Sequence, residues 1–231
     1  MKVINLLGDA TKLKVDSNSV DLVITHPPYI GIDVERYGGD PASQINFSQN
    51  EKNVLKLFKK AFLEVERVLR PGGNLILANN PKGGFDAKLM VQIIKTTNLQ
   101  FSSYYAQHSD EPHKNITVWQ HYTKGIQKGF SSFIGTKRYG STKIECDINN
   151  EKNPVDMQLA KEGFHIFDAM HKDVPTKFIN MFSEDGHVVL DPFGGSGIVA
   201  VTAAQLGRVG ITNDISTKQF EAAQRRMELS L

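Results

Sequence analysis

Two short stretches break an otherwise regular pattern, and both carry residue types suited to chemistry. The first is Asp191-Pro192-Phe193-Gly194-Gly195-Ser196-Gly197. Its glycines let the backbone turn sharply and approach a ligand closely, with a helix N-terminus facing it. Seventeen residues beyond Gly197 stands Asp214, just past the next predicted strand. A carboxylate at that distance in a strand–helix–strand unit is placed to accept hydrogen bonds from two ribose hydroxyls. The turn is not a Walker loop, because Ile198 rather than Lys follows Gly197, and it does not match a dinucleotide fingerprint. Asp191 at the strand end would repel a pyrophosphate and suits a cation, such as an amino group or a sulfonium. Phe193 offers a ring face for stacking or cation–π contact. The ligand implied is S-adenosylmethionine.

The second stretch is Thr25-His26-Pro27-Pro28-Tyr29, directly after the apolar run Val20 to Ile24. Two prolines fix φ and remove backbone donors, leaving rigid carbonyls that only accept. Acceptors on His26 and the Pro27 carbonyl, with the Tyr29 ring alongside, would clamp a planar aromatic amine. The six remaining histidines (His108, His113, His121, His165, His171, His187) show no metal-ligand spacing and read as structural or surface residues. No metal is expected.

Elements that could position these groups follow from the pattern. Val3 to Leu7 and Val20 to Thr25 read as strands. Glu51 to Arg70 places Val54, Phe58, Phe62, Val65 and Leu69 on one helical face, with capping-box spacing at Ser48 and Glu51 and a stop at Pro71-Gly72-Gly73. Leu75 to Ala78 reads as a buried strand, Asp86 to Thr97 as a helix, and Phe101 to Tyr105 and Ile116 to Tyr122 as strands. After a polar stretch come a helix from Pro175 to Phe182, the strand Val188 to Asp191, a helix to about Leu206, the strand Val209 to Ile211 and a helix after Ser216. Trp119 and Met181 read as core. Buried strands alternating with helices predict an α/β doubly wound fold around a mostly parallel sheet.

The chain has 231 residues, 40% hydrophobic and 23% charged, with 19 Gly and 9 Pro, which excludes collagen-like and disordered classes. No apolar run is long enough for a membrane span, and no signal-peptide layout stands at the N-terminus. The single cysteine, Cys146, allows no internal disulfide. A cytoplasmic chain without a membrane partner is expected. Net charge is only +2, but residues 124–145 hold Lys124, Lys128, Lys137, Arg138 and Lys143 against Glu145 alone, interleaved with Phe130, Phe133 and Tyr139. That composition suits an element that reads a polyanion, and it equally suits a solvated loop with ordinary charges.

With these residues in view, the sequence resembles the amino-directed DNA methyltransferases, which modify cytosine N4 or adenine N6. Asp191 to Gly197 with Asp214-Ile215-Ser216 resembles their cofactor motifs, and His26-Pro27-Pro28-Tyr29 their catalytic Asp/Asn/Ser-Pro-Pro-Tyr tetrapeptide. The catalytic motif precedes the cofactor motif, the circularly permuted order of the β group. Arg70-Pro71-Gly72-Gly73-Asn74-Leu75, Gly8-Asp9-Ala10 and Val174-Pro175-Thr176 match further family segments, so the resemblance spans nearly the whole chain.

The resemblance implies a Rossmann-like, S-adenosylmethionine-dependent fold. Residues 1–123 would form its catalytic half, 124–163 a small target-recognition insert and 164–231 the cofactor-binding half. His26, Pro27, Pro28 and Tyr29 would be catalytic, and Asp9, Ala10, Asp191, Phe193, Gly194, Gly195, Gly197 and Asp214 would bind the cofactor. Lys124, Lys128, Lys137, Arg138 and Lys143 would contact double-stranded DNA, placing the protein at the nucleoid, and the target base would be flipped out of the duplex. Membership also suggests dimerisation. Two departures bear on the target: His26 replaces the usual Asp, Asn or Ser, and Met170 to Val174 lacks the Gln-Lys-Pro pattern common among adenine enzymes. They incline the reading to cytosine N4 over adenine N6. An RNA or protein-glutamine methyltransferase and an inactive DNA-binding relative remain as alternatives.

Overall fold

A computed structural model describes residues 1–28, 51–79, 85–107, 117–125, 142–144, 153–164, 166 and 170–231. In chain order the elements are β1 (Lys2–Leu7), β2 (Val20–Thr25), α1 (Glu51–Val68), β3 (Leu69–Asn79), α2 (Phe85–Thr96), β4 (Leu99–Gln107), β5 (Thr117–Lys124), β6 (Thr142–Ile144), α3 (Pro154–Lys161), α4 (Asp173–Phe182), β7 (Val188–Asp191), α5 (Ile198–Gln205), β8 (Val209–Asp214) and α6 (Thr217–Ser230). Among the described residues no helix is long and apolar enough to cross a membrane.

The strands form one eight-stranded sheet in the order β1-β8-β7-β2-β3-β5-β4-β6. From β1 to β3 every neighbouring pair is parallel, as is β4 with β6, whereas β5 runs antiparallel to both β3 and β4. The expected doubly wound, mostly parallel sheet is therefore the observed one. At its centre β2 and β7 lie side by side, yet the chain leaves β2 toward β3 and leaves β7 toward β8. Connections that diverge in this way open a crevice at the carboxyl ends of the two strands.

Both faces are covered, and side-chain alternation assigns them. Leu75 and Leu77 of β3 and Leu190 of β7 point into a cluster with Val54, Phe58, Phe62 and Val65 of α1. Their neighbours Ile76, Ala78 and Val189 point the other way, against Val174, Phe178 and Ile179 of α4 and Val199 and Ala203 of α5. Strands buried on both sides explain the continuous apolar runs in the sequence. Helix α5 is sandwiched so fully that Ile198 through Ala204 are all buried.

Three details differ from the sequence reading. Helix α1 ends at Val68, and Arg70-Pro71-Gly72-Gly73 already belongs to β3, because Leu69 pairs with Val20 and Gly72 turns the chain at φ 79°. Met181 is 52% exposed on α4 and not in the core, while Trp119 is buried. Residues 124–163 end in α3, which is docked on α6 through Arg225–Glu162 and Arg226–Asp156 pairs. Ser48 lies outside the described residues.

The tightest packing joins α5 to the sheet. A methyl group on Gly210 of β8 would stand 2.0 Å from the Ala200 carbonyl oxygen of α5. Gly210→Ala should therefore cost about 3 kcal/mol or more in unfolding free energy, because backbone rather than a side chain must give way. Gly72→Ala, whose added methyl meets nothing within 4 Å, should cost only the left-handed strain of about 1 kcal/mol. Denaturant unfolding of the two variants checks the order, and equal losses would refute it.

Candidate active site

The carboxyl ends of β2 and β7 bring the two candidate motifs together. Val23 pairs with Leu190, so Thr25 stands one residue beyond the position opposite Asp191. The buried Thr25 hydroxyl donates to Asp191 Oδ1 at 2.8 Å, and the Phe193 amide donates to the same oxygen at 3.1 Å. The residue before His26 is thus bonded to the acid that opens the Gly-rich turn. Asp191 is only 4% exposed. Burial, with a further contribution from nearby Asp214, pushes its carboxyl up to about 7 against the pull of those two bonds.

The rest of the turn is held by backbone. Gly194 N–H donates to the Asn213 carbonyl and Gly197 N–H to the Gly194 carbonyl. Gly195 and Gly197 both lie in the left-handed region, at φ 50° and 79°. A methyl on Gly194 would stand 1.8 Å from Thr212 Oγ1, so only glycine fits there. Asp214, the last residue of β8, accepts from Gly195 N–H on Oδ2 and from Ser216 N–H on Oδ1, each at 2.9 Å. Burial raises its carboxyl above the ordinary range. Ser216 caps α6 by accepting from Gln219 N–H, as the capping-box spacing predicted.

One residue of this site escaped the sequence reading. Asn213 Nδ2 donates to the Gly8 carbonyl at 3.0 Å and to the Pro192 carbonyl at 3.2 Å, joining the loop after β1 to the Gly-rich turn. Nothing local marks Asn213, because its partners lie far away in sequence. Asp9 in that first loop is exposed and accepts from Thr11 N–H at 2.7 Å, while Ala10 is buried. Two exposed apolar side chains flank Asp214: Leu7, its register partner on β1, and Ile215, the next residue. Phe193 packs edge-on against Phe58 of α1, with ring centroids 6.0 Å apart.

On the β2 side, His26 is half-buried, Pro27 buried and Pro28 half-buried. The His26 ring lies 6.5 Å from Trp119, which packs on Phe178 of α4. Tyr29 lies outside the described residues. Of the other histidines, His121 is buried between Asn74 Oδ1 and Ser103 Oγ, and burial pushes it down to about 4. His171 and His187 are half-buried, and His108, His113 and His165 lie outside the described residues. Among the described residues no group of three or more His, Cys, Asp or Glu could hold a metal ion.

The basic residues fare differently. Lys124 ends β5, where its Nζ donates to Asn18 Oδ1 and to the Glu66 and Leu69 carbonyls at the end of α1. That engagement ties the end of β5 to the end of α1. Lys143 stands on β6 opposite Ala106 of β4. Lys128, Lys137 and Arg138 lie outside the described residues.

This geometry meets its counterpart in known proteins. Residues 118–225, from β5 into α6, match the family model described as DNA methylase. The cofactor-side part of the chain is thus similar to the DNA methylases. The matched span contains the Gly-rich turn and Asp214, and His26 to Tyr29 lie before it. The Type II methyltransferase M.HpaI of Haemophilus parainfluenzae is 26% identical over 243 residues, covering 93% of this chain and 70% of that protein. M.BamHI of Bacillus amyloliquefaciens is 27% identical over 87% of this chain and 52% of its own length. Among solved structures, the cytosine-N4-specific PvuII DNA methyltransferase superposes with a TM-score of 0.72 at 16% identity, covering 97% of this chain and 87% of that one. A Thermus thermophilus protein complexed with S-adenosyl-L-methionine superposes with a TM-score of 0.65 at 21% identity, covering 100% and 96%. At such identities the superpositions establish the shared Rossmann-like methyltransferase fold.

Buried Asp191 gives the protein a distinctive pH dependence. Its folded-state carboxyl titrates near 7 and its unfolded one near the ordinary 3.8, so the folded state holds the proton more tightly. Stability of the unliganded protein is then full below about pH 4 with respect to this group, and falls as pH rises to about 7. The fall should be on the order of a few kcal/mol, and Asp191→Asn should flatten it. Urea unfolding of wild type and variant between pH 5 and 8 checks this. Parallel curves would exclude Asp191 as the titrating group.

Proposed function

We propose that the chain transfers a methyl group from S-adenosylmethionine to an exocyclic amino group of a DNA base, cytosine N4 ahead of adenine N6. The observation that carries this reading is the Thr25–Asp191 hydrogen bond, which sets the acceptor-bearing tetrapeptide beside the acid of the Gly-rich turn. The crevice fits the cofactor on its own chemistry. A buried carboxylate without a cation beside it is destabilised, and an amino or sulfonium group at Asp191 supplies the missing charge. Gly194 keeps the turn open to a close backbone approach, and Leu7 and Ile215 offer apolar surface for a flat ring. When bound, the cofactor supplies an electrophilic methyl group.

The chain's own residues do the rest. Asp191 and Phe193 hold the methionine end, and Asp214 accepts from the ribose hydroxyls with the lone pairs its two backbone bonds leave. Gly8, Asp9 and Ala10 border the adenine, beside Gly195 and Gly197 of the turn. The Pro27 carbonyl and the neutral His26 ring accept the hydrogens of the target amine, drawing its lone pair out of conjugation and toward the methyl. Pro28 stiffens the segment and Tyr29 stacks on a base flipped from the duplex. Rate comes from alignment and from a desolvated pair of reactants. Lys128, Lys137, Arg138 and Lys143 contact phosphates, in a cytoplasmic, nucleoid-associated protein that pairs with a second copy.

The deciding experiment incubates purified protein with S-adenosylmethionine and double-stranded DNA, digests the DNA and identifies the modified nucleoside by mass spectrometry. N4-methylcytosine is expected. Methyl transfer to RNA or protein alone, or to nothing, would overturn the reading.

Two variants probe the roles. Asp214→Ala should weaken cofactor binding at least about tenfold, the scale of one or two lost charge-assisted hydrogen bonds, with folding retained. Calorimetry reads this directly, and an unchanged affinity would reduce Asp214 to a backbone brace. His26→Ala should slow single-turnover methylation about a hundredfold at saturating cofactor and DNA. His26→Asp should retain more, because a carboxylate restores the acceptor. An Ala variant at full rate would take His26 out of the reaction.

A further inference from the structure

The Gly-rich turn is gripped from beneath by a buried cation that no sequence motif announces. Arg226 of α6 is 1% exposed. Its Nε donates to the Ser196 carbonyl at 2.7 Å and its Nη2 to the Ser196 hydroxyl at 3.0 Å. Ser196 is the residue between the two left-handed glycines, so fixing both its oxygens fixes the crest of the turn. The same Nη2 donates to Asp156 of α3. Helix α6 also presses close here, since a methyl on Gly197 would stand 3.0 Å from Ala223 Cβ.

A guanidinium taken out of water is strongly destabilising unless an opposite charge accompanies it. Among the described residues Asp156 is the acid bonded to it. Remove that carboxylate and the favourable course for Arg226 is to swing toward solvent, away from Ser196. We propose that Arg226 is a positioning residue for the cofactor turn, and that Asp156 on α3 is the counter-charge that keeps it there. This rests on the reading of the turn as the S-adenosylmethionine site.

A neighbouring pair provides the control. Arg225 Nε and Nη2 grip Glu162 at 2.8 and 3.0 Å, tying the same two helices together without touching the turn. A purely structural role predicts that Asp156→Ala and Glu162→Ala act alike. The positioning role predicts that they diverge. Asp156→Ala should raise the dissociation constant for S-adenosylmethionine at least about tenfold, and Glu162→Ala less than about twofold, although both lower the melting temperature. Asp156→Glu should recover most of the lost affinity. In a double-mutant cycle, Asp156→Ala should cost less in a Ser196→Ala background, since the hydroxyl that Arg226 Nη2 holds is already gone while the Ser196 carbonyl remains. Should Asp156→Ala fail to fold, Asp156→Asn, which keeps an acceptor but loses the charge, should show an intermediate loss. Equal effects of the two helix-tying variants, or an unchanged affinity on removing Asp156, would overturn the proposal. Wild-type protein that bound no cofactor would overturn the reading of the site itself, and calorimetry on wild type reveals that before any variant is made.

Discussion

The crevice depends on a carboxylate buried at the centre of the sheet. Asp191 ends β7, accepts from Thr25 of β2 and from its own turn, and has almost no contact with water. A group in that position resists ionisation, and nearby Asp214 adds repulsion of like sign. Two neighbouring acids that burial holds back from ionising form an unfinished electrostatic arrangement. The fold tolerates it because each carboxylate has hydrogen-bond donors, which lower the cost of charge without cancelling it. Whatever cation enters completes a field that is already built, so little reorganisation accompanies binding.

That arrangement holds only if the backbone around it cannot drift. Three contacts with no slack ensure this: Gly194 against Thr212, Gly197 against Ala223, and Gly210 against Ala200. Each lets the chain on either side of α5 approach its neighbours at a distance no side chain permits. Asn213 then spans the carboxyl ends of β1 and β7, and Arg226 holds Ser196 from α6. The turn is thus fixed from its flank, its floor and its two strand ends. Its precision lies in the protein's rigid half, where the strands are parallel and covered on both faces.

How much of this the sequence discloses depends on the range of the interaction. Strand β2 and strand β7 were legible because an apolar run followed by Pro-Pro or by a Gly-rich turn is a local signal. The cap of α6 was equally local, four residues from Ser216 to Gln219. The end of α1 was less so, because Pro71 and Gly72 are accommodated within β3 and pairing of Leu69 with Val20 decides the boundary. The contacts of Asn213, Arg226 and Lys124 are invisible in the sequence for one reason. Their partners lie 205, 30 and 70, and 106 residues away, and spacing carries no information about such contacts. Lys124 shows the hazard of counting charge: it contributes to the basic composition of its segment, yet all three of its donors are taken up around the end of α1.

The distribution of labour between backbone and side chains also bears on the histidine at position 26. In the tetrapeptide the Pro27 carbonyl is an acceptor whatever precedes it, and the two prolines hold its direction. On the proposed reading the first residue need only add one more acceptor at the same strand end. An aspartate, an asparagine, a serine and a neutral imidazole can each do that, although they differ in charge and in length. A longer, flat side chain needs a wall to keep it in place, and here Trp119 and the aromatic face of α4 stand beside it. A carboxylate would need no such wall but would bring a third acid toward Asp191 and Asp214. A neutral acceptor leaves the crevice with two acids instead of three. On the proposed reading a histidine at this position is therefore compatible with the electrostatics of the site, and the Trp119 ring stands beside it.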